Sequence, residues 1–316
     1  MKVLHLDTEN YPKEKIEKLK KDFDFTCYIE NKITSELALK THLKTNSYHI
    51  IFVKLGINFN EDLLSTQNNL KFIITPTTGH NHLDTEYLSK RGVNILSLKG
   101  EVSFLKNIQS TSEHIWALIL CLSKNILIAN DQTKNYKWSR TKKSIELNQK
   151  TIGIIGYGRL GKIIERYAKS FNMHVLVNDT KPIEQNNTPL NHLLSESDII
   201  VLLIDYKKGN ENFINKNKFD LMKNGVIFIN CSRGEHVNED DLLEALKSSK
   251  IGACGLDVLR NDSKWEIIPK DNTLIEYSKK SENIIITPHI GGYSDFSIFE
   301  TRRFIVEKLY TILKQI

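Results

Sequence analysis

The sequence predicts an α/β protein built of two doubly wound domains, each a parallel sheet with helices on both faces. Its 316 residues exceed the length of one typical domain. Strand-like apolar runs alternate with helix-like segments along the chain, which is the pattern of parallel sheets. A glycine-rich turn at residues 156–161 lies at mid-chain, so the residues before it must form a domain of their own.

The first domain is predicted from five apolar runs separated by helix-like segments. The predicted strands are residues 2–6, 25–29, 49–53, 70–75 and 93–98, and the predicted helices are 13–21, 35–43, 60–67 and 84–91. A last helix at 295–315 can cross back and pack on this domain. We therefore expect a discontinuous, flavodoxin-like domain formed by residues 1–105 and 293–316.

A long apolar helix is predicted to open the second domain, which we assign to residues 106–292. The helix covers residues 111–125 and can extend to 133. Thr111 or Ser112 can cap it, because a hydroxyl oxygen accepts hydrogen bonds from backbone N–H groups at a helix start. Apolar residues nearly encircle the helix, so we expect it to be buried between layers or at a subunit interface.

The glycine-rich turn has the spacing G-x-G-x-x-G and lies between an apolar run and an amphipathic segment. Gly156 permits the tight turn, Gly158 lets the backbone approach a pyrophosphate, and Gly161 lets the helix pack on the strand. Asp179 follows a second apolar run, 18 residues after Gly161. This layout predicts a Rossmann unit that binds a dinucleotide. The alternative is a glycine-rich turn without a ligand.

The rest of the second domain continues the same alternation to about six strands. The predicted strands are 151–155, 173–177, 199–204, 226–230, 252–256 and 283–287, and the predicted helices are 163–170, 190–195, 216–222 and 239–248.

Composition narrows the functional class further. The net charge of +6 is spread along the chain without a basic run, so we expect no nucleic-acid partner. No apolar stretch reaches the length of a membrane span, so we expect no membrane partner. The four cysteines lack metal or C-x-x-C spacing and fit reduced thiols. These features predict a cytoplasmic protein without a metal site.

Three groups of polar residues follow predicted strands, where ligands of open α/β sheets bind. Arg233 can clamp a carboxylate with two hydrogen bonds. His289 has a side chain suited to proton transfer near neutral pH. Asp257 and Asp262 supply carboxylates, one of which can hold the imidazole. Each residue alone has a simpler interpretation, as a helix cap, a structural histidine or a turn former. Together they suit hydride transfer between a 2-hydroxy acid and a nicotinamide.

These residues resemble the motifs of the D-isomer-specific 2-hydroxyacid dehydrogenase family, and the resemblance covers nearly the whole chain. The segments that carry it are T-T-G-H-N-H-L-D at 77–84, S-T-S-E-H at 110–114, W-S-R at 138–140, N-C-S-R-G at 230–234 and P-H-I-G-G at 288–292. The resemblance implies an NAD-dependent oxidoreductase that interconverts D-2-hydroxy and 2-keto acids. It also implies a homodimer.

The resemblance assigns expected roles to individual residues. Arg233 would bind the substrate carboxylate and carbonyl, and His289, paired with Asp262, would be the general acid and base. Asp179 would accept the ribose hydroxyls and repel a 2′-phosphate, which favours NAD over NADP. The expected cofactor-binding residues are Gly156, Gly158, Arg159, Leu160, Gly161, Asp179, Cys231, Asp257 and Gly291, with Asp257 at the nicotinamide carboxamide. The expected substrate-binding residues are Lys54, Leu55, Gly56 and Gly79.

Two departures from the family pattern bear on the site. Asp262 stands where the family usually has glutamate, and its side chain is one methylene shorter, so Glu266 is a second candidate. Leu203 and Asp205 stand where many relatives have histidine and proline. A different class, an NAD-binding interaction protein of the corepressor type, shares this fold. The presence of both Arg233 and His289 favours the enzyme.

Overall fold

The computed structural model describes residues 1–27, 36–140, 142–181, 183, 187–262 and 270–315. Contacts between residues divide the chain into two compact units. The described residues of 1–107 and 294–315 form the first unit, and those of 108–262 and 270–293 form the second.

The sheet of the first unit has five parallel strands: β1 (Lys2–His5), β2 (Asp24–Cys27), β3 (Ile50–Phe52), β4 (Phe72–Ile74) and β5 (Asn94–Leu96). Their order is β2-β1-β3-β4-β5, the doubly wound order of flavodoxin-like domains. The central strands β3 and β4 are short, fully buried apolar runs, as expected where helices cover both faces of a sheet. The flavodoxin-like architecture predicted for this unit is therefore confirmed.

Four helices of the first unit follow the predicted alternation: α1 (Lys13–Asp22), α2 (Glu36–Thr45), α3 (Glu61–Leu64) and α4 (Thr85–Lys90). A short fifth helix, α5 (Val102–Leu105), was not predicted. The side chains of Asn60 and Asp84 cap α3 and α4 by accepting the N–H groups of Leu63 and Tyr87. One apolar cluster, which includes Leu4, Ile51, Phe59, Ile73 and Leu88, holds α2, α3 and α4 to the sheet.

The second unit contains a six-stranded parallel sheet: β6 (Thr151–Ile155), β7 (His174–Asn178), β8 (Ile199–Leu202), β9 (Val226–Asn230), β10 (Ile251–Leu256) and β11 (Ile284–Ile286). The strand order is β11-β10-β9-β8-β6-β7. Beyond β7, Asn187 forms a single parallel bridge with Val177, which occupies the position of a further edge strand. The strand order reverses between β6 and β8, where ligands of Rossmann folds bind. The predicted Rossmann architecture is confirmed.

Seven helices are described in the second unit: α6 (Ser110–Ser123), α7 (Ile126–Lys134), α8 (Arg159–Ser170), α9 (Leu190–Glu196), α10 (Lys216–Leu221), α11 (Glu239–Lys247) and α12 (Thr273–Ser278). Helix α6 packs against β9, β10 and α8, as expected for a helix between layers. Its apolar side chains join one core with the sheet, including Ile115, Ile119, Ile154 and Ile229.

Two details of the long apolar helix differ from the prediction. The helix begins at Ser110 after Gln109, which makes no side-chain cap, so the prediction of a Thr111 or Ser112 cap was wrong. Ser112 is buried within the first turn, and the Ser110 hydroxyl donates to the carbonyl of Gly291 instead. The predicted extension of this helix to residue 133 was also wrong, because Asn125 adopts a left-handed conformation with φ of 54° and ends it.

The left-handed Asn125 separates α6 from α7, which are bent by 61° relative to each other. Within the described part of the chain, no single helix has the length and apolarity to cross a membrane, and only this bent pair passes when its two helices are counted together. The last helix, α13 (Asp295–Leu313), belongs to the first unit and buries Ile305, Val306 and Leu309 there.

Candidate active site

The glycine-rich turn joins β6 to α8, and two of its glycines are required by close packing. Gly156 has a φ of +98°, and a Cβ atom there would lie 2.6 Å from the carbonyl oxygen of Leu203. A Cβ atom at Gly161 would lie 2.5 Å from the carbonyl oxygen of Gly156. At Gly158, the residue before α8, a Cβ atom would meet nothing within 4 Å. The turn thus leaves open space at a helix start, which fits a dinucleotide pyrophosphate.

Asp179 follows β7 and lies against this turn. One carboxylate oxygen accepts the N–H of Tyr157 at 2.7 Å, and the other accepts the N–H of Lys181 at 2.9 Å. The structure therefore brings the predicted acid to the glycine-rich turn. A carboxylate held there suits two neighbouring hydroxyl groups and opposes a phosphate.

Arg159 and Leu160 form the first turn of α8. The Arg159 guanidinium donates to the carbonyl of Ile108 at 2.7 Å. Burial lowers the pKa of Arg159, which remains charged because its ordinary value is so high. Leu160 is half-buried. Both residues thus lie beside Gly158, as the sequence motif requires.

Arg233 follows β9 in a loop that Asn230 organises. The Asn230 side-chain oxygen accepts both the N–H and the hydroxyl of Ser232, and its amide donates to the carbonyl of Arg233 at 3.0 Å. The guanidinium donates to the carbonyl of Ser232 at 2.6 Å. Burial lowers the pKa of Arg233, while the charge of Asp262 acts in the opposite direction. Asn230 fixes the loop, a role the sequence motif alone did not reveal.

His236 lies one turn beyond Arg233 and was missed by sequence reasoning. Because the Ser232 hydroxyl donates to Asn230, it can only accept from His236 Nδ1, which lies 3.0 Å away. His236 Nε2 is therefore an unprotonated acceptor, and it is buried without a partner among the described residues. Burial, followed by the charge of Arg233, lowers the pKa of His236 to about 4. A neutral, buried histidine thus lies next to the loop of Arg233.

His289 and Asp262 form a pair despite the shorter aspartate side chain. Nδ1 of His289 lies 3.0 Å from Oδ2 of Asp262, and the two side chains are 44% and 13% exposed. A turn supplies the reach, because the N–H of Asp262 donates to the carbonyl of Leu259 at 3.1 Å. Glu266, the second candidate, lies outside the described residues.

Asp257 follows β10 and is 2% exposed. Its Oδ1 accepts the Thr287 hydroxyl at 2.6 Å and the N–H of Ile290 at 2.9 Å, and its Oδ2 accepts the N–H of Gly291 at 2.8 Å. Burial opposes its charge, but hydrogen bonds from His114, Thr287 and the two backbone groups outweigh burial and hold the pKa of Asp257 below its usual value. The carboxylate is therefore ionised and bound to the segment that carries His289.

Cys231 and Gly291 complete the set predicted in the second unit. Cys231 is buried, and burial raises the pKa of its thiol, so the thiol stays protonated. A Cβ atom at Gly291 would lie 2.8 Å from Asp257 Oδ2, so this position requires glycine. His114 and Thr287, which contact Asp257, were given no role by the sequence. The available signal was the spacing of Ser110 and His114, which lie four residues apart on one face of the helix.

The predicted substrate-binding residues lie in the first unit, at the carboxyl ends of β3 and β4. Lys54 Nζ lies 3.8 Å from a carboxylate oxygen of Glu9, and Leu55 is exposed. Gly56 has a φ of +91°, which favours glycine. The carbonyl of Gly79 accepts the hydroxyl of Thr77 at 2.8 Å. Among the residues that the structure describes, no group of three or more His, Cys, Asp or Glu side chains can hold a metal ion.

A Rossmann unit with this turn, an arginine loop and an imidazole–carboxylate pair at its strand ends is the arrangement of a nicotinamide-dependent oxidoreductase. Residues 116–291 match the family described as "D-isomer specific 2-hydroxyacid dehydrogenase, NAD binding domain". The chain belongs to this family, and its second unit is the NAD-binding domain. The family and the cofactor predicted from the sequence are thereby confirmed.

Similar proteins cover most or all of the chain. It is 31% identical over 275 residues to a D-3-phosphoglycerate dehydrogenase of Archaeoglobus fulgidus. The matched region is 84% of this chain but only 50% of that protein. It is 26% identical to a glyoxylate reductase of Pyrococcus furiosus, over 95% of this chain and 88% of the relative. A solved D-lactate dehydrogenase from Aquifex aeolicus, complexed with NAD and lactic acid, matches with a TM-score of 0.83 and 30% identity, over 99% and 96% of the two chains.

Proposed function

We propose that this protein is an NAD-dependent oxidoreductase that interconverts a D-2-hydroxy acid and a 2-keto acid. The observation that carries the proposal is the position of Asp262. This carboxylate is hydrogen-bonded to His289, and its charge also acts on Arg233. One acid, one imidazole and one guanidinium thus come together in the unit that carries the dinucleotide turn.

Arg233, His289 and Asp262 of the second unit each have a separate role in the proposed reaction. NADH, when bound, supplies a hydride to C2 of the keto acid. Arg233 binds the substrate carboxylate with two charge-assisted hydrogen bonds. Since Nδ1 of His289 faces Asp262, Nε2 is the atom that passes a proton to the carbonyl oxygen. Asp262 stabilises the imidazolium before the transfer and holds the ring in one orientation.

We further propose how the cofactor is held. The turn with Gly156, Gly158 and Gly161 receives the pyrophosphate, and Arg159 and Leu160 flank it. Asp179 accepts the ribose hydroxyls and thereby selects NAD. Cys231, Asp257 and Gly291 line the nicotinamide end. The support is their position at the carboxyl ends of β6, β7, β9, β10 and β11, together with the open space at Gly158.

The first unit is proposed to be the substrate domain, with the boundaries 1–105 and 293–316 expected from the sequence. Backbone N–H groups of Lys54, Leu55 and Gly56, together with Gly79, would contact the substrate carboxylate. Their support is the position of these residues after β3 and β4, at the edge where ligands of such sheets bind.

We also propose that the protein is a cytoplasmic homodimer. Four apolar side chains of this region are exposed: Ile126 and Leu127 at the start of α7, and Tyr136 and Trp138 after its end, with Tyr136 fully exposed and Trp138 85% exposed. A second copy of the chain would cover this apolar surface. Cys231 and Cys254 are buried thiols, which fits a reducing compartment.

The activity is tested by following NADH absorbance with a panel of 2-keto acids that includes glyoxylate, hydroxypyruvate and pyruvate. We expect turnover on at least one of them. Arg233→Ala should lower kcat/KM by roughly 10²–10³, because a buried charge-assisted contact is lost. His289→Ala should lower kcat by about 10²–10⁴. The exposed His192→Ala variant serves as the control and should match the wild type. Tight NADH binding without turnover on any keto acid contradicts the proposal and favours the interaction protein.

A further inference from the structure

The backbone of His289 adopts a left-handed conformation. Its φ is +55°, in the left-handed region, which is uncommon for residues other than glycine although histidine adopts it more often than most. Such a conformation persists only when the surrounding structure holds it. The contacts that hold it therefore decide where the imidazole points.

A single carboxylate binds the chain on both sides of His289. Asp257 accepts the Thr287 hydroxyl two residues before His289, and the N–H groups of Ile290 and Gly291 just after it. The loop closes further on itself, because the N–H of His289 donates to the carbonyl of Thr287 at 2.9 Å. The buried Asp257 carboxylate thus binds the left-handed turn on both sides of His289.

His114 on α6 supports this carboxylate from the other side. Its Nε2 lies 2.9 Å from the Thr287 hydroxyl and 3.3 Å from Asp257 Oδ1. The Thr287 hydroxyl has one proton and gives it to Asp257, so it must accept from His114. The hydrogen bonds therefore run in one direction, from His114 through Thr287 to the carboxylate, and they fix His114 with its proton on Nε2.

We propose that Asp257, Thr287 and His114 form a positioning unit that sets the backbone of His289 and thereby aims its imidazole. The inference rests on the proposed function, since it concerns the proton donor of that reaction. It assigns Asp257 a role in addition to the expected contact with the nicotinamide carboxamide. All four residues belong to the second unit.

Asp257→Asn tests the inference while keeping the shape of the side chain. An amide replaces one of the two acceptor oxygens with an NH2 group, so at least one of the groups that donate to Asp257 would face another donor. We expect kcat to fall by roughly a hundredfold, the scale of an ångström-level misplacement of a catalytic group. The Kd for NADH, measured by fluorescence, separates the two roles of Asp257, because loss of the carboxamide contact alone would weaken NADH binding without lowering kcat at saturating NADH.

A matched pair at Thr287 separates positioning from mere stability. Thr287→Val removes the hydroxyl at nearly constant volume, and Thr287→Ser restores it. We expect kcat to fall by roughly tenfold in the valine variant at temperatures where it is fully folded, and to recover in the serine variant. Equal kcat for the valine variant and the wild type would overturn the proposal, whatever its melting temperature.

Hydrogen–deuterium exchange of the peptide covering residues 287–293 gives a readout that needs no turnover. Exchange should be faster in Asp257→Asn and in Thr287→Val than in the wild type and Thr287→Ser. Unchanged exchange together with a tenfold weaker Kd for NADH in Asp257→Asn would leave Asp257 as a cofactor contact only. If the wild type turns over no keto acid, the proposed function fails, but the exchange comparison still supports or overturns the positioning role.

Discussion

Nδ1 of His289 lies 3.0 Å from Oδ2 of Asp262, although aspartate is one methylene shorter than the glutamate that the family usually has. The reach comes from the tight turn at 259–262, in which Asn261 also adopts a left-handed conformation with φ of 62°. Two left-handed residues, Asn261 and His289, thus bring the pair together. The methylene that the side chain lacks is compensated by the backbone.

This pairing predicts that Asp262 is needed as a charged acceptor. Asp262→Asn should lower kcat by roughly a hundredfold, because an amide neither stabilises the imidazolium nor fixes its tautomer. Steady-state kinetics at saturating NADH and keto acid would measure it. Asp262→Glu is the matched control and should keep most of the activity. An asparagine variant within twofold of the wild type would exclude Asp262 as the partner of His289.

The glycine-rich turn predicts opposite outcomes for two neighbouring glycines. Gly156→Ala places a Cβ atom 2.6 Å from the Leu203 carbonyl at a φ of +98°, so the free energy of unfolding should fall. A loss of about 1–3 kcal/mol is expected for such a strained position. Gly158→Ala meets nothing within 4 Å and should melt like the wild type, yet bind NADH at least tenfold more weakly. Denaturant unfolding and NADH fluorescence would measure the two effects, and normal NADH binding by Gly158→Ala would contradict the assignment.

Asp179 predicts the choice between NADH and NADPH. Removing its charge in Asp179→Ser should raise the ratio of kcat/KM for NADPH to that for NADH by roughly tenfold or more, since the repulsion of a 2′-phosphate is lost. The serine variant also loses an acceptor for the N–H groups of Tyr157 and Lys181, so its melting temperature must be measured alongside. Asp179→Glu, which keeps the charge, is the control. An unchanged ratio in the serine variant would show that selection lies elsewhere.

His5 predicts a loss of stability in acid. Burial, followed by the charge of Arg302, lowers the pKa of His5 from 6.5 to about 3, so the unfolded chain binds the proton first. Stability is therefore full above pH 6.5 and falls as the pH drops towards 3. At about 1.4 kcal/mol per pH unit, roughly 2–3 kcal/mol would be lost by about pH 4.5. His236 acts in the same direction, with a pKa lowered to about 4 by burial and by Arg233.

Chemical denaturation between pH 7 and pH 4.5 would measure this acid sensitivity. His5→Asn should reduce the dependence of the unfolding free energy on pH, because the titrating group is gone. The exposed His192→Asn variant is the control and should retain the full dependence. If the unfolding free energy of His5→Asn depends on pH as strongly as that of the wild type, His5 does not cause the loss of stability in acid.

The exposed aromatic side chains beyond α7 predict that two copies of the chain form a dimer through this surface. Trp138→Asp should convert the proposed dimer to a monomer, because a charge at a desolvated interface is costly. Analytical ultracentrifugation would report the mass. Leu37→Asp, at an exposed position of the first unit, is the matched control and should remain a dimer. A wild-type protein that sediments as a monomer would contradict the proposal outright.

Much of this architecture was predictable from the sequence because strand and helix patterns are local. The run before Gly156 and the run before Asp179 are strands for the same reason: both are short, apolar and bounded by turn residues. The turn was predictable because glycine alone tolerates the φ of Gly156 and the approach at Gly161. The break after α6 was not predictable, since Asn125 looks like an ordinary helical residue until its left-handed conformation is seen. The short helices α5 and α12 were not predicted either.

Most residues of the candidate site could be predicted from the sequence, but the hydrogen bonds between them could not. Arg233, Asp262 and His289 could be named because strand ends gather ligand-binding residues. His114 and Thr287 could not, because their importance lies in contacts with Asp257 across 143 and 30 residues of sequence respectively. His236 also escaped, because a histidine in a helical turn carries no local sign that its Nε2 is buried without a partner.

The sequence by itself determined the two doubly wound sheets, the dinucleotide turn and the identity of the polar residues at the strand ends. These features follow from periodicity and from the conformational freedom of glycine, which act over a few neighbouring residues. Only the tertiary structure decided that Asp262 reaches His289 and that Asp257 binds the chain on both sides of that histidine. Hydrogen bonds depend on distances of a few tenths of an ångström between distant segments, and no local pattern specifies such distances.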